Sequence, residues 1–409
     1  MISMKKYICF ILVFYSFSVA EFERDLQLQL ILAEPGDTIQ LDPGMFSMLG
    51  DIIIENKKDI VINGSGISNT ILSFSDQVSG KNGFNIRNSN NIIIQNFTIQ
   101  NAKGDAFLCE NVNGLSFNNI KIEWFKNKAS ENSINAFNIK KCEYVLIENC
   151  SSSLASDTGF FINQSKNVII RFIEAFNNSI GIRVQNSVIV DLHSNNLLHN
   201  AAGLAIVNVP DLSKKDCKQI RVFDNILKNN NSINYSPFLS ISSKVPSGTG
   251  IFLMAVEQLE VFNNTIIDNN TLGTAIFSYF ITELETKDTD YSPYSSSINI
   301  YDNIYRRESN FPSFNHKIGK ILISKFFKEI PDIITDGVTD PKYIGKYNLV
   351  PDPRRVCIVD NFEAKYVNLN IERNFSSWYR PFIVKYKQDL NECNCTQKEL
   401  PKVIFDNSL

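Results

Sequence analysis

Three residues at one position of a recurring phrase carry a carboxylate, a guanidinium and an imidazole: Glu148, Arg171 and His193. Each lies twelve residues after a small residue (Ala136, Gly159, Gly181), as do Gln95 after Gly83 and Asn118 after Ala106. In the next copy the residue before the recurring Asn is Asp224, and the file is expected to continue as Asn263 and Asp302. Such a set suits proton abstraction from a uronic acid. Arg171 would neutralise the sugar carboxylate, His193 would act as base near its ordinary pKa, and Glu148 or Asp224 would orient a partner. The plainer alternative is a solvated column of ion pairs that contributes little energy. Asp191, His199 and, one face of the coil away, Arg183 are candidate subsite residues. Trp124, Phe125 and Tyr235, in or near the longer loops, offer rings that either stack on sugars or pack.

The elements that must position this file are short and repeated. NIIIQNFTI (91–99), GLSFNNIKI (114–122), YVLIENCSS (144–152), IRVFDNILK (220–228), LEVFNNTII (259–267) and INIYDNIYR (298–306) each close an apolar run with a polar residue and Asn. The small residues Gly83, Ala106, Ala136, Gly159, Gly181, Gly203, Gly250 and Thr274 are spaced by 23, 30, 23, 22, 22, 47 and 24 residues. A period near 22 in β-branched text punctuated by Asn, Ser and Gly is the mark of a stacked solenoid. The longer intervals place loops near Asn127 to Asn132 and around Val209 to Gly248. Runs such as NVIIRF and SVIVDL lack the 3.6-residue rhythm of a helix.

In a parallel β-helix, equivalent residues of successive coils lie about 4.8 Å apart. Asn96, Asn119, Asn149, Asn225, Asn264 and Asn303 are therefore expected to form a hydrogen-bonded ladder, interrupted where Phe172 and Ser194 replace Asn. The polar file, one residue away, is expected to point outward into water. The expected fold class is all-β: a right-handed single-stranded parallel β-helix (solenoid) over residues 21–305, with a mixed C-terminal capping extension over 306–409. Within that extension IGKILISKFFKEI (318–330) predicts a short amphipathic helix, and the extension as a whole either covers the open end of the coils or forms a separate functional domain.

Composition sets outer limits. The 409 residues are 44% hydrophobic with a net charge of -3, enough for an extensive core, and Lys+Arg (40) does not exceed Asp+Glu (43), which argues against a nucleic-acid partner. Lys5 and Lys6 precede an apolar stretch from Tyr7 to Phe17 and a Ser-Val-Ala ending at Ala20, so residues 1–20 read as a signal peptide. No later stretch is long and apolar enough to span a bilayer. The chain is therefore expected to be exported, to the periplasm or the cell exterior. Seven cysteines remain after residue 20. The expected disulfide joins Cys357 to Cys393 or Cys395, with Cys395 preferred, while Cys109, Cys142 and Cys150 read as buried thiols. No metal site is expected, the residues point to no particular cofactor, and P-loop, dinucleotide, haem-attachment and HExxH motifs do not occur. Asp157 in ASDTG (155–159) reads as a turn residue.

The stretches GDTIQLDPG (36–44), TILSFSDQVSG (70–80), ASDTGFFINQS (155–165), GIRVQNS (181–187), NAAGLAIVNVPDL (200–212) and VPSGTGI (245–251) resemble segments of an exported bacterial family of parallel β-helix repeat proteins. Its coil pattern is similar to those of alginate epimerases and nitrous-oxide-reductase maturation β-helix proteins. The resemblance covers residues 30–305 and extends to DIITDGVTDP (332–341) and VCIVDN (356–361). It implies the fold and a neighbourhood of exported c-type cytochromes. Family members tend to carry acidic residues where this chain has Arg183 and Gln185, so a cation or substrate site built on such a pair is not carried over. Two functions follow as expectations. One is an acidic-polysaccharide-binding protein with epimerase- or lyase-like proton abstraction. The other is a non-catalytic envelope binding or assembly module partnered with an exported c-type cytochrome. An enzyme should wall Glu148, Arg171 and His193 into a groove with the inserted loops, whereas a binding module leaves them on an open face.

Overall fold

Short β-branched runs cannot bury their apolar face alone, and this chain solves the problem by stacking them in register. The computed structural model describes residues 21–125, 134–308, 310–345, 350–371, 386, 388 and 390–405. The expected signal sequence at 1–20 and the loop near Asn127 to Asn132 lie outside them. One coil illustrates the rest: Glu143–Glu148 in sheet A, Ser151–Ser153 in a second leg, called sheet C, that is joined to sheet A in one 19-stranded sheet through the long strands Asn90–Gln100 and Asn113–Glu123, and Thr158–Asn163 in sheet B. The next coil repeats the order with Lys166–Arg171, Glu174–Phe176 and Ile180–Gln185. Every pairing between coils is parallel, and sheet B alone has eleven strands, from Ile52–Glu55 to Tyr366–Asn368. Ile333–Thr335, Val356–Val359 and Tyr366–Asn368 pair with earlier coils, so the ladders run on past residue 305 and the extension is threaded into the solenoid.

Between sheets A and C the chain turns on one left-handed residue: Asn96, Asn119, Asn149, Phe172, Ser194, Asp224, Asn263 and Asp302, with φ from 54° to 66°. Asn and Asp tolerate this conformation best, which accounts for the Asn of the first three phrases. In the later phrases the Asn stands one residue further on and points inward. Asn225 Nδ2 donates to Asn264 Oδ1 (2.9 Å), Asn264 Nδ2 to Asn303 Oδ1 (2.9 Å) and Asn303 Nδ2 to Asn361 Oδ1 (2.9 Å). This ladder starts at Asn195, whose backbone N–H donates to Asn225 Oδ1. The single ladder expected from the sequence is thus two columns: in the turn column Asn119 Nδ2 does donate to Asn96 Oδ1 and Asn96 Nδ2 to Asn63 Oδ1 (both 2.8 Å), Asn149 turns instead to Asn118 Oδ1, and Phe172 and Ser194 are further occupants of that column. A second buried ladder, Asn178, Asn200, Asn230 and Asn269, lines the corner from sheet C to sheet B. The small-residue marker shows the same kind of slip at its end: Thr274 pairs with Ile251, so Gly273 and not Thr274 continues the column of Gly203 and Gly250.

The interior is filled by like on like. Phe84, Phe107, Phe137 and Phe160 stack down one column at centroid distances of 5.1, 5.5 and 4.8 Å. Ile182, Leu204 and Ile251 continue that column in register. A second apolar layer covers the outer face of sheet B, where Ile180, Ala205, Phe252 and Phe277 pack with Tyr279, Tyr291 and with Ile318, Ile321 and Leu322 of helix α2 (Lys317–Phe326). That helix ends four residues before the expected limit of 330. At the other end an amphipathic helix α1 (21–32) buries Leu26 and Leu30. Its Gln27 side chain both donates to Ile53 O and accepts from Ile53 N, pairing an exposed strand edge. No helix among the described residues is long and apolar enough to cross a membrane.

Candidate functional site

Strand register fixes the outer file. Gln95, Asn118, Glu148, Arg171 and His193 are successive partners, and the file continues as Phe223, Phe262 and Tyr301. Asp224, Asn263 and Asp302 are therefore not in it; they hold the adjoining turn, because the polar–Asn phrase shifts by one residue in the later coils. Glu148 Oε2 accepts from Arg171 Nε at 2.8 Å and lies 2.7 Å from Nη2, both side chains being partly exposed. His193 Nδ1 lies 3.2 Å from Ser194 Oγ. Its ring stacks on Phe223 (4.7 Å, 12°), Phe223 on Phe262 (5.0 Å, 5°) and Phe262 on Tyr301 (5.0 Å, 3°). Stacked rings spend their faces on one another, so these three aromatics present edges to a ligand. Burial, and after it the charge of Arg171, lowers the His193 pKa against the smaller opposing pull of Asp224. The imidazole is consequently neutral at neutral pH, as a base must be.

Phe172 is different. It occupies the left-handed turn column (φ 55°) yet is 55% exposed, with the Arg171 guanidinium 5.7 Å from its centroid and His193 edge-on at 6.1 Å. A bulky side chain in this conformation costs about 1–2 kcal/mol, and nothing in the core repays it. In the sequence Phe172 stands out only as a residue replacing Asn; its signal is an aromatic at a position otherwise filled in the neighbouring coils by Asn, Ser or Asp.

Two residues inward along the same strands runs a second outer column: Asp191, Arg221, Glu260 and Asn299. All four are over nine-tenths buried, because residues 396–405 cross the sheet above them. Arg221 Nη1 reaches Asp191 Oδ2 at 3.3 Å, Nε lies 3.8 Å from Glu260 Oε2, and the guanidinium sits 4.7 Å from the Phe223 centroid. Burial raises the pKa of both Asp191 and Glu260, against Arg221 and the backbone donors of the crossing segment. Asp191 is the one member of this column expected at a subsite from the sequence. Arg221 and Glu260 were legible as charged residues at an outward-facing strand position.

The remaining candidates lie apart. Arg183 is on the outer face of sheet B, buried over the Phe161 ring (3.6 Å), 3.6 Å from the carboxylate of Asp157 and bonded to Ser242. Asp157, expected as a turn residue, is fully buried there. Tyr235 belongs to the insertion over that face, its N–H donating to Ser179 Oγ (2.7 Å). His199 is an exposed turn residue (φ 55°) between sheets C and B. Trp124 is buried in the main core with Nε1 donating to Ala102 O (2.7 Å), so its ring packs and no face is left for a sugar. Cys357 and Cys395 form a disulfide. Cys142, Cys150 and Cys217 are buried thiols with pKa values pushed up to about 12 by desolvation. Among the described residues no group of three or more His, Cys, Asp or Glu is placed to hold a metal ion.

The insertions at 231–248, 278–295 and 307–332 follow strands of sheets C and B and border sheet B. The turn beside Glu148, Arg171 and His193 carries no insertion, so this patch is an open edge of sheet A.

No curated protein matches the chain in sequence. Among solved structures it is similar to the mannuronan C-5 epimerase AlgE4 A-module of Azotobacter vinelandii (TM-score 0.50, 12% identity, 78% of this chain and 89% of that one). It is also similar to an alginate lyase from Paenibacillus sp. str. FPU-7 (TM-score 0.43, 11% identity, 70% and 92%) and to endopolygalacturonase I from Stereum purpureum (TM-score 0.44, 13% identity, 69% and 93%). At such identities the likeness concerns the fold. The model of the right handed beta helix region matches residues 82–244 and 125–289, together half of the chain, and the coils described above are what it recognises. The chain belongs to the family of right-handed parallel β-helix proteins.

Proposed function

We propose that this protein binds an acidic polysaccharide at the open edge of sheet A, on the patch formed by Glu148, Arg171, Phe172 and His193. The observation that carries the reading is Phe172, an exposed ring kept in a left-handed turn between a guanidinium and an imidazole. A pyranose ring has an apolar C–H face that suits such a ring, and a uronate carboxylate suits the free edge of Arg171. Support also comes from the fold, which is similar to that of a protein whose name denotes C-5 epimerase action on mannuronan. Binding is favoured over turnover by the openness of the patch, since proton abstraction gains from a site that excludes water. The chemistry available to a bound uronate is nonetheless defined: His193 would take the C5 proton while Arg171 balances the enolate charge. Export follows from the expected signal sequence at 1–20, and its confirmation requires the mature N-terminus.

The test uses purified mature protein and a panel of alginate, polygalacturonate and neutral glucan oligomers, beside the Arg171→Ala/His193→Ala variant. Binding of uronates, weakened about tenfold or more in the variant, supports the reading. Unsaturated uronide absorbance or a change of sugar stereochemistry by NMR, abolished in the variant, would add lyase or epimerase activity. Binding to no glycan contradicts the reading and leaves the assembly role, with an exported c-type cytochrome as the partner to test.

A further inference from the structure

The C-terminal segment 396–405 lies across the outer face of sheet A at right angles to its strands. It starts at the disulfide Cys357–Cys395. From there Gln397 Nε2 donates to Arg355 O, Leu400 N–H to Glu260 Oε1 (3.2 Å) and Val403 N–H to Asp191 Oδ2 (3.1 Å), and Phe405 meets Tyr144 edge-on at 6.3 Å. The segment therefore spans the coils from Val356–Val359 back to Glu143–Glu148, ending beside the strand that carries Glu148.

Beneath it is a charged column that stability does not explain. Desolvating two carboxylates and a guanidinium gains little over apolar residues of the same size, which fill the equivalent outer position at Leu146 and Ile169. The column is also incompletely paired. Asp191 Oδ1, Arg221 Nε and Asn299 Oδ1 are buried without a hydrogen bond among the described residues, although each belongs to a residue more than nine-tenths buried. Between the segment and the sheet a cleft of about 550 Å³ remains, lined by Glu260, Asn299, Gln219 and Gln258 below and by Lys398 and Glu399 above. Polar groups left over in this way are those of a surface shaped for something richer in hydrogen bonds than ten residues of extended chain.

We propose that the column Asp191, Arg221, Glu260 and Asn299 is a second saccharide subsite, and that segment 396–405 is a disulfide-anchored strap occupying it until a polysaccharide displaces it. The inference rests on the reading above and extends it along the same sheet. Two backbone N–H groups now donate to Glu260 and Asp191; sugar hydroxyls would take their place, with Arg221 Nε, which lies in ion-pair range of Glu260 but makes no hydrogen bond, and Asn299 Oδ1 giving the further partners that a polyol can satisfy and a peptide backbone does not. With two carboxylates around one guanidinium, the subsite faces the hydroxyl edge of a bound sugar, while a uronate carboxylate is paired at Arg171. The disulfide keeps the strap's root fixed, and displacement is a swing of residues 396–405 away from the sheet.

Two measurements test this on the full-length mature protein with alginate and polygalacturonate oligomers as probes. The Leu400→Pro/Val403→Pro variant removes the two donors and leaves the disulfide. Because a site open only part of the time shows a proportionally weaker affinity, the variant should bind the oligomers about tenfold more tightly than the wild type. In the wild type, the amides of Leu400 and Val403 should exchange about tenfold more slowly than in an unstructured chain without oligomer, and lose that protection when it is added. Equal affinity of variant and wild type, with both amides still protected in the presence of bound oligomer, would overturn the strap while leaving the Arg171 patch intact. Absence of binding by either form would overturn both. Should the variant fail to fold, amide exchange in the wild type decides alone.

Discussion

At the residue scale the chain uses one amino acid for two jobs. Asn96 serves a left-handed turn, whereas Asn264 is a buried link whose amide donates to Asn303 Oδ1, Val222 O and Phe262 O while its oxygen accepts from Asn225. Replacing Asn264 by Ala strands several buried partners at once, each costing about 1–3 kcal/mol, so a loss on the order of 3 kcal/mol or more is expected. Asn96→Ala forfeits the left-handed preference and two part-buried side-chain hydrogen bonds, to Asn63 Oδ1 and from Asn119 Nδ2 (both 2.8 Å), and should cost less, about 2 kcal/mol. Denaturant unfolding of the two variants separates the roles; equal losses would mean that the two positions are equivalent after all. The sequence showed both asparagines but not their registers, because the two-letter phrase is the same whether its second letter turns the chain or points into the core. That slip of one residue also put Asp224 in the outer file, where the pairing of His193 with Phe223 shows it does not belong.

At the element scale the coils were legible and their coverings were not. The period near 22 residues, the strands and the outward position of Glu148, Arg171 and His193 follow from alternation and repeat. What lies over a sheet depends on segments far away in sequence, such as α2 against sheet B or the strap against Asp191, and no local pattern encodes that contact. The layer over sheet B also carries a testable electrostatic balance. Burial raises Asp336 to about 6, against the N–H and hydroxyl of Ser278 and the N–H of Val338. Since the unfolded carboxyl titrates near 3.8, the folded chain holds the extra proton and stability falls as pH rises between those values. His316, whose Nδ1 caps α2, is pushed to about 4 by burial and then by Lys244. Here the unfolded chain binds the proton first, near 6.5, and stability rises across almost the same span. Each slope is at most about 1.4 kcal/mol per pH unit, and in the wild type they offset. Thermal unfolding of Asp336→Asn from pH 4 to 6.5 should show the rising slope alone, and His316→Asn, which keeps a capping acceptor, the falling one. Flat profiles in both variants would contradict the assignment.

At the scale of the whole molecule, the solenoid is a long scaffold whose faces have been given different fates. Sheet B is roofed by insertions and helix α2, and sheet A is crossed by the strap, which leaves the edge at Glu148, Arg171, Phe172 and His193 as the accessible chemistry. That edge is a binding surface only if the fold maintains it at a cost. The most direct measurement is therefore made on one variant, Phe172→Asn, by reading its thermal stability and its affinity for uronate oligomers together. Asn is at ease in the left-handed turn, so the variant should be more stable by about 1 kcal/mol, and without the exposed ring it should bind about tenfold more weakly. A variant that gains stability and keeps full affinity would show that Phe172 is an ordinary turn residue and that the polysaccharide site is not here.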